Sequence, residues 1–180
     1  MKEIEQDKRR TIKSEGLGLI PDFETALTEL EQVYQELAKE LEAMGPRCEL
    51  SGRCCNFVNG QYILYASELE FEQVRRAVRS PGPWPLKPGG ECPFQVEKKC
   101  SIHPARPLGC RTFFCDQDYR PREGEVYQKF SRRIAEISER CGIEWDYRPL
   151  HGDSAREALT KPKYGTQPAP VFPILNPQES

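Results

Sequence analysis

Residues 91–115 read ECPFQVEKKCSIHPARPLGCRTFFC, a run whose density of thiols should decide how the chain folds. The four cysteines of this run are Cys92, Cys100, Cys110 and Cys115. The remaining four of the eight cysteines are Cys48, Cys54, Cys55 and Cys141. Since a chain of 180 residues is expected to form one domain with tails, these thiols belong to a single fold.

The composition is that of a globular protein with a modest hydrophobic content. Hydrophobic residues make up 37% and charged residues 30%, with a formal net charge of −2, so we expect a modest core and no strong field to attract nucleic acid or an anionic membrane. The N-terminus lacks the apolar stretch of a secretory signal, and no run approaches the roughly 20 apolar residues of a membrane span. We therefore expect a cytoplasmic protein, in which thiols bind metal or do redox chemistry more often than they form disulfides.

An amphipathic pattern over residues 22–44 predicts a long helix. Asp22 is a suitable N-cap, and Gly45-Pro46 ends the pattern. The apolar positions are Phe23, Leu27, Leu30, Tyr34, Leu37, Leu41 and Met44. This stripe favours packing onto the rest of the domain; the alternative is a dimerising seam, for which the repeat is short.

Two more helices are predicted further along the chain. Ser67 and Glu70 form a capping box that opens a short helix through about Arg79. A long helix is expected over about 123–140, with Gly142 at its C′ position. Its apolar face consists of Val126, Phe130, Ile134 and Ile137.

Two short hairpins are predicted between these helices. Asn59-Gly60 lies between two β-prone runs, which is a type I′ turn signal. A small hairpin is also expected around Glu97-Lys98, within an otherwise irregular segment. Residues 80–90 are rich in proline and glycine and should form a loop.

These elements predict a mainly α protein with short β hairpins, a small α+β fold. Two long helices should flank an irregular, cysteine-rich core that a metal organises. Residues 1–20 are expected to be a flexible N-terminal segment and residues 21–150 a single cysteine-cluster metal-binding domain. Residues 151–180 are expected to be a Pro-rich, largely disordered tail.

The thiols are the best candidates for chemistry, because zinc and iron–sulfur sites both favour thiolate ligands. Cations recur beside them and would lower thiol pKa values; these are Arg47, Arg53, Lys98, Lys99, Arg106 and Arg111. No C-x-x-C is present, which argues against thioredoxin-type redox chemistry and simple zinc ribbons. With only His103 and His151 available, a histidine-rich catalytic zinc site is hard to build.

The blocks CELSGRCC and CPFQVEKKCSIHPARPLGCRTFFC resemble the YkgJ-like cysteine-cluster family, a family of proposed zinc- or iron-chelating domains. That family's second block ends in C-S-I-Y-x-x-R-P-x-x-C-R. The positions matched here are Cys100, Ser101, Ile102, Arg106, Pro107, Cys110 and Arg111. The resemblance covers roughly residues 45–116, and it implies metal chelation while leaving zinc, iron or a [4Fe–4S] cluster open.

The chain departs from the family pattern at two positions. Ser51 stands where the family has its second cysteine, and a hydroxyl is a poor ligand for zinc or iron. His103 replaces a tyrosine, which favours a packing role over liganding. The seven candidate metal ligands are Cys48, Cys54, Cys55, Cys92, Cys100, Cys110 and Cys115. Cys141 lies outside the matched block, on the helix face of Ile134 and Ile137, and is expected to be a core residue.

The sequence thus predicts a metal-binding cysteine-cluster protein that needs its zinc or iron to fold, with no catalytic residue assigned. The alternative is an iron–sulfur redox protein or a component of a protein-modification enzyme acting with an unidentified protein partner. A weaker hypothesis is metal handling with an exchangeable ion. A related cysteine block occurs in flagellin lysine methylases, but this chain has no room for their additional region, so methyl transfer is not carried over.

Overall fold

The computed structural model describes residues 20–49, 51–56, 63–78, 92–161 and 163–164. Within these ranges the chain is mostly helical, with five α-helices and two small antiparallel sheets, which confirms the predicted small α+β class. The predicted Asn59-Gly60 turn, the loop 80–90 and nearly all of the predicted N-terminal segment lie outside the described residues. In the described part, no helix is long and apolar enough to cross a membrane.

Helix α1 (Phe23–Met44) forms where the amphipathic pattern predicts it. The Asp22 carboxylate accepts a hydrogen bond from the Thr25 N–H at 3.0 Å, which satisfies one of the unpaired amides of the first turn. Gly45 closes the helix with a left-handed φ of 65°, a conformation that glycine adopts without strain. The buried residues of the helix are Ala26, Leu30, Val33, Tyr34, Leu37 and Leu41.

Helix α4 (Arg120–Arg140) is the second long helix and begins slightly before its predicted start. Pro121 lies in its first turn, where a missing N–H costs nothing. At the other end Gly142 adopts a φ of 68°, and the Ile143 N–H donates to the Ser138 carbonyl at 2.8 Å. This is a Schellman motif, which satisfies carbonyls of the last turn and confirms the predicted role of Gly142.

The apolar faces of α1 and α4 form the larger hydrophobic cluster of the protein. Ion pairs line its rim and join Arg140 to Glu29, Arg133 to Glu36 and Lys129 to Glu40. Because residue numbers fall along α4 as they rise along α1, the two helices are antiparallel. The stripe of α1 is therefore buried within its own chain, as the packing interpretation predicts.

The strands form two separate pairs. Strand β1 (Tyr65–Ser67) pairs antiparallel with β4 (Tyr147–Pro149), a partner that the sequence did not reveal as a strand. Strands β2 (Gln95–Val96) and β3 (Lys99–Cys100) form the hairpin predicted at Glu97-Lys98. Both turn residues have positive φ, at 49° and 67°, as a type I′ turn requires.

Helix α2 (Glu68–Ala77) opens with the predicted capping box, and helix α5 (Gly152–Thr160) packs against it. The buried residues of α5 are Ala155, Ala158 and Leu159. The prediction of a disordered tail over 151–180 was therefore wrong for its first part. A helix face built mainly of alanines does not stand out as an apolar pattern in the sequence. Residues 165–180 lie outside the described part of the chain.

Candidate metal centre

The adjacent thiols Cys54 and Cys55 sit on a tight bend. Residues Arg53–Cys55 form a 3₁₀ turn, Gly52 has a φ of 72°, and the Cys55 N–H donates to the Gly52 carbonyl at 3.0 Å. Side chains of neighbouring residues in an extended strand point to opposite faces. The bend instead brings the two sulfur atoms to 3.8 Å from each other.

Cys92 and Cys100 reach this pair from the β2–β3 region. The Cys92 N–H donates to the Cys55 carbonyl at 2.8 Å, and the thiols of the same two residues are hydrogen-bonded. Cys100, in β3, is partly buried and lies close enough to Cys54 for a thiolate at Cys54 to raise the pKa of Cys100. Cys92 and Cys100 thus add thiols from a second segment of the chain to the pair at the bend.

A third segment contributes Cys110, which lies on the short helix α3 (Leu108–Thr112). It lies close enough to Cys100, Cys55 and Cys54 for thiolates at those positions to raise the pKa of Cys110. Just before the helix, Arg106 is extended, with φ −61° and ψ 134°, as expected for a residue that precedes proline. We call Cys54, Cys55, Cys92, Cys100 and Cys110 the thiol cluster.

The surroundings of four members of the thiol cluster, Cys54, Cys55, Cys100 and Cys110, favour the neutral thiol. A hydrogen bond with Cys55, together with burial, raises the pKa of Cys54. The bond with Cys54 lowers the pKa of Cys55, but the bond with Cys92 and burial outweigh it and raise that pKa to about 12. Burial raises the pKa values of Cys100 and Cys110. At neutral pH these groups keep their protons, so a metal ion has to displace them in order to bind.

Among the described residues, Arg106 is a cation that acts on three members of the thiol cluster. Its positive charge opposes the rise in pKa at Cys54, Cys100 and Cys110. Its guanidinium is fixed by hydrogen bonds from Nη1 to the Cys110 carbonyl at 3.3 Å and from Nε to the His103 carbonyl at 3.2 Å. This arginine would offset part of the negative charge of bound thiolates.

The other two candidate ligands have different surroundings. Cys115 is buried, and its Sγ lies 3.2 Å from the Oγ of Ser51. Cys48 is exposed in the segment that follows α1. In the same segment Arg47 donates from its backbone N–H, at 3.0 Å, and from Nε, at 3.4 Å, to the Asp116 carboxylate. Asp116 follows Cys115 in the chain, so these contacts associate Cys115 with the first cysteine block.

The remaining cysteine and the histidines are not gathered into the thiol cluster. Cys141 is buried between α1 and α4, as predicted for a core residue. His103 is exposed, so its predicted packing role was wrong: the 3₁₀ turn His103–Ala105 buries Ala105 instead. His151 immediately precedes α5.

Sequence reasoning missed the buried carboxylate that holds the Cys110 helix in place. Glu70 is fully buried and accepts hydrogen bonds from the Tyr34 hydroxyl at 2.9 Å and the Leu108 N–H at 2.6 Å. It also accepts from the N–H and hydroxyl of Ser67, at 2.7 and 2.8 Å. Because Leu108 opens α3, this one carboxylate ties the Cys110 helix to both α1 and α2. The capping-box pattern signalled only the contact with Ser67.

A second buried carboxylate secures the opposite side of α2. Glu68 is fully buried, and it pairs with Arg75 at 2.7 Å and with Arg148 of β4. Arg75 also donates to the Ala158 carbonyl at 2.5 Å. Since a buried charge is stable only when it is paired, this network holds α2, α5 and β4 together.

Within the described ranges, no group of three or more Cys, His, Asp or Glu side chains is arranged to hold a metal ion. Comparisons with protein-family models, with curated proteins and with solved structures give no match. What points to a function is therefore the chemistry of the donors that the fold gathers. Those donors are soft thiols, which zinc and iron–sulfur clusters prefer.

Proposed function

We propose that this chain is a cytoplasmic metal-binding protein in which thiolates of the thiol cluster hold zinc or iron. The observation that carries the proposal is the convergence of five thiols from three separate segments of the chain. A structural zinc site or a [4Fe–4S] cluster takes four thiolates. The thiol cluster contains five thiols, and binding would require four of them to close around the ion, since they do not form a preformed ligand set in the described residues.

The spacing of the adjacent pair supports the same proposal. Two thiolates at about 2.3 Å from a tetrahedral zinc are about 3.8 Å apart, and the sulfur atoms of Cys54 and Cys55 are 3.8 Å apart. A thiol–thiol hydrogen bond has a similar length, so the spacing agrees with metal binding without requiring it. The resemblance of the two cysteine blocks to the YkgJ-like family points to the same chemistry.

The residues have distinct roles in this proposal. The ion, when bound, would contribute folding free energy, which amounts to about 10–16 kcal/mol in small zinc peptides. The left-handed Gly52 turns Cys54 and Cys55 toward one side, and Glu70 holds the helix that carries Cys110. Arg106 supplies compensating positive charge.

Anaerobic purification followed by elemental analysis and visible absorption tests the proposal. Iron with labile sulfide and a brown colour would identify an iron–sulfur cluster and favour the redox alternative, whereas one zinc per colourless chain would identify a structural or metal-handling site. Cys110→Ser should lose the metal, and Cys141→Ser, the matched control outside the thiol cluster, should keep it. Equal metal contents in the two variants would refute the assignment of the site.

Metal removal provides a second test. A strong chelator should loosen the region 48–115 and make it sensitive to proteolysis, because the hydrophobic core is small and the ion contributes to its stability. The measurement is limited proteolysis beside a melting curve. An unchanged melting transition in metal-free protein would contradict the proposed role of metal in folding.

A further inference from the structure

The β1–β4 sheet has one buried face and one outward face. Leu64, Ala66 and Leu150 point into the core. On the other face the ring of Tyr147 stacks between two neighbours, with centroids 5.3 Å from Tyr65 and 5.5 Å from Trp145. The interplanar angles are 16° and 9°, so the three rings form one continuous stack.

Ile63 lies two residues before Tyr65, so its side chain lies on the same face of the extended chain. Ile63 therefore extends this apolar surface. We call Ile63, Tyr65, Tyr147 and Trp145 the aromatic strip. Ile63 is 44% exposed and Trp145 is 41% exposed, which places both among the large hydrophobic residues that the described part of the chain leaves open to solvent. An exposed apolar strip of this kind favours a docked partner over contact with water.

The described chain ends beside the strip. The Tyr164 hydroxyl accepts a hydrogen bond from the Glu144 N–H at 3.0 Å, and its ring packs edge-on against Phe23 with centroids 5.5 Å apart. Lys163 pairs with the Glu144 carboxylate at 2.5 Å. Because Glu144 is the neighbour of Trp145 in the chain, the last described residue, Tyr164, lies next to the aromatic strip.

The sequence of this final segment suits an apolar surface. Residues 165–178, GTQPAPVFPILNPQ, contain no charged side chain, so docking would desolvate no charge. Their apolar residues are Val171, Phe172, Ile174 and Leu175. The seven residues from Tyr164 to Val171 span up to roughly 23 Å when extended, which is more than the combined length of the ring stack. Pro170 and Pro173 fix φ in this run and reduce the ordering cost of docking.

From these observations we propose that residues 168–177 dock in cis on the aromatic strip and cover Ile63 and Trp145. A short tether gives an effective concentration in the millimolar range. The segment therefore occupies the strip even when its affinity as a free peptide is weak. This inference is independent of metal binding and can fail while the proposed function stands.

Fluorescence quenching tests the proposal directly. The chain has two tryptophans, so Trp84→Phe leaves Trp145 as the reporter. Acrylamide should quench Trp145 more strongly when the chain stops after Tyr164, and also in the full-length double variant Phe172→Asp/Ile174→Asp. The control Gln167→Asp/Gln178→Asp adds the same charges at polar positions of the segment and should keep the full protection.

A peptide of residues 165–180, added to the truncated chain, should restore the protection of Trp145 half-maximally at roughly 0.1–1 mM, below the millimolar effective concentration of the tether. Equal quenching of the full and truncated chains would overturn the proposal. Protection that is lost on dilution of the full chain would also overturn it, because the occupant of the strip would then be a second copy. Circular dichroism of each variant verifies that the fold is intact.

Discussion

Replacing Glu70 with glutamine should loosen the junction where α3 meets α1 and α2. One carboxylate oxygen accepts from the Leu108 N–H and the Tyr34 hydroxyl, and the other from the N–H and hydroxyl of Ser67. Glutamine preserves the shape of the side chain but turns one of these oxygens into an NH₂ group. That group would then face one backbone donor and one hydroxyl donor.

The size of the effect follows from which donors can adapt. A hydroxyl can rotate toward another acceptor, but the backbone N–H of Leu108 or Ser67 cannot, so at least one hydrogen bond to a charged acceptor is lost. Such a bond contributes roughly 1.5–3 kcal/mol, and a buried donor left unpaired adds to the cost. We expect the free energy of unfolding to fall by about 2–4 kcal/mol, which corresponds to a Tm lower by roughly 5–15 °C for a chain of this length.

Thermal unfolding of Glu70→Gln beside Glu42→Gln measures this effect. Glu42 is exposed on α1, so its substitution should change stability by no more than about 0.5 kcal/mol. Since Glu70 holds the helix of Cys110, the same variant should also make the Cys110 thiol more reactive toward a thiol reagent in metal-free protein. A Tm equal to that of the control would show that the four hydrogen bonds to Glu70 do not hold α3 in place.

Three further results are expected. Gly52→Ala would place a methyl group 2.6 Å from the Gln95 amide nitrogen. Gln95 would have to move away and lose its hydrogen bond to the Gly52 carbonyl, so Tm and metal content should fall more than in Gly45→Ala, where the left-handed strain is similar but the space is open; equal effects would contradict a role for the bend. Cys141→Ala should cost on the order of 1 kcal/mol of stability and leave the metal content, measured by elemental analysis, unchanged. The folded-state pKa of Cys55 is raised to about 12, above an unfolded value near 8.5. Metal-free protein should therefore lose stability as the pH rises from about 8.5 toward 12. Melting curves at increasing pH should show this loss, and Cys55→Ser should reduce it.

Local signals accounted for much of the fold. The ends of α1 were predictable because Asp22 and Gly45 act on their own helix, and the turn at Glu97-Lys98 was predictable because both residues belong to one hairpin. In the same way, the bend at Cys54-Cys55 depends on Gly52, a glycine only two residues away. Each of these features depends on a few neighbouring residues, so the sequence carries the necessary information in one place.

Features that depend on distant contacts were not predictable. Strands β1 and β4 have three residues each, which is too short to display a strand pattern before they pair. The burial of Glu70 depends on Tyr34 and Leu108, which are remote in sequence and carry no mark of the contact. The sequence likewise offered seven cysteines as ligands without distinguishing Cys115, which lies against Ser51, from the members of the thiol cluster.

The ion pairs along the rim of α1 and α4 also determine which turn of one helix lies beside which turn of the other. The spacing between successive partners is the same on α1 as on α4, so all three pairs form in one alignment of the helices. If α4 slid by one turn, Glu29 would meet Glu136 and Glu40 would meet Glu125, and like charges at such positions repel; of the three glutamates, Glu36 alone would still meet a cation, Lys129. The apolar stripes repeat at each turn, so they would still face each other after that slip. The ion pairs of the rim, in contrast, would be disrupted. Each exposed pair adds little to stability, so the main effect of the rim is to disfavour the slipped alignment of the two helices.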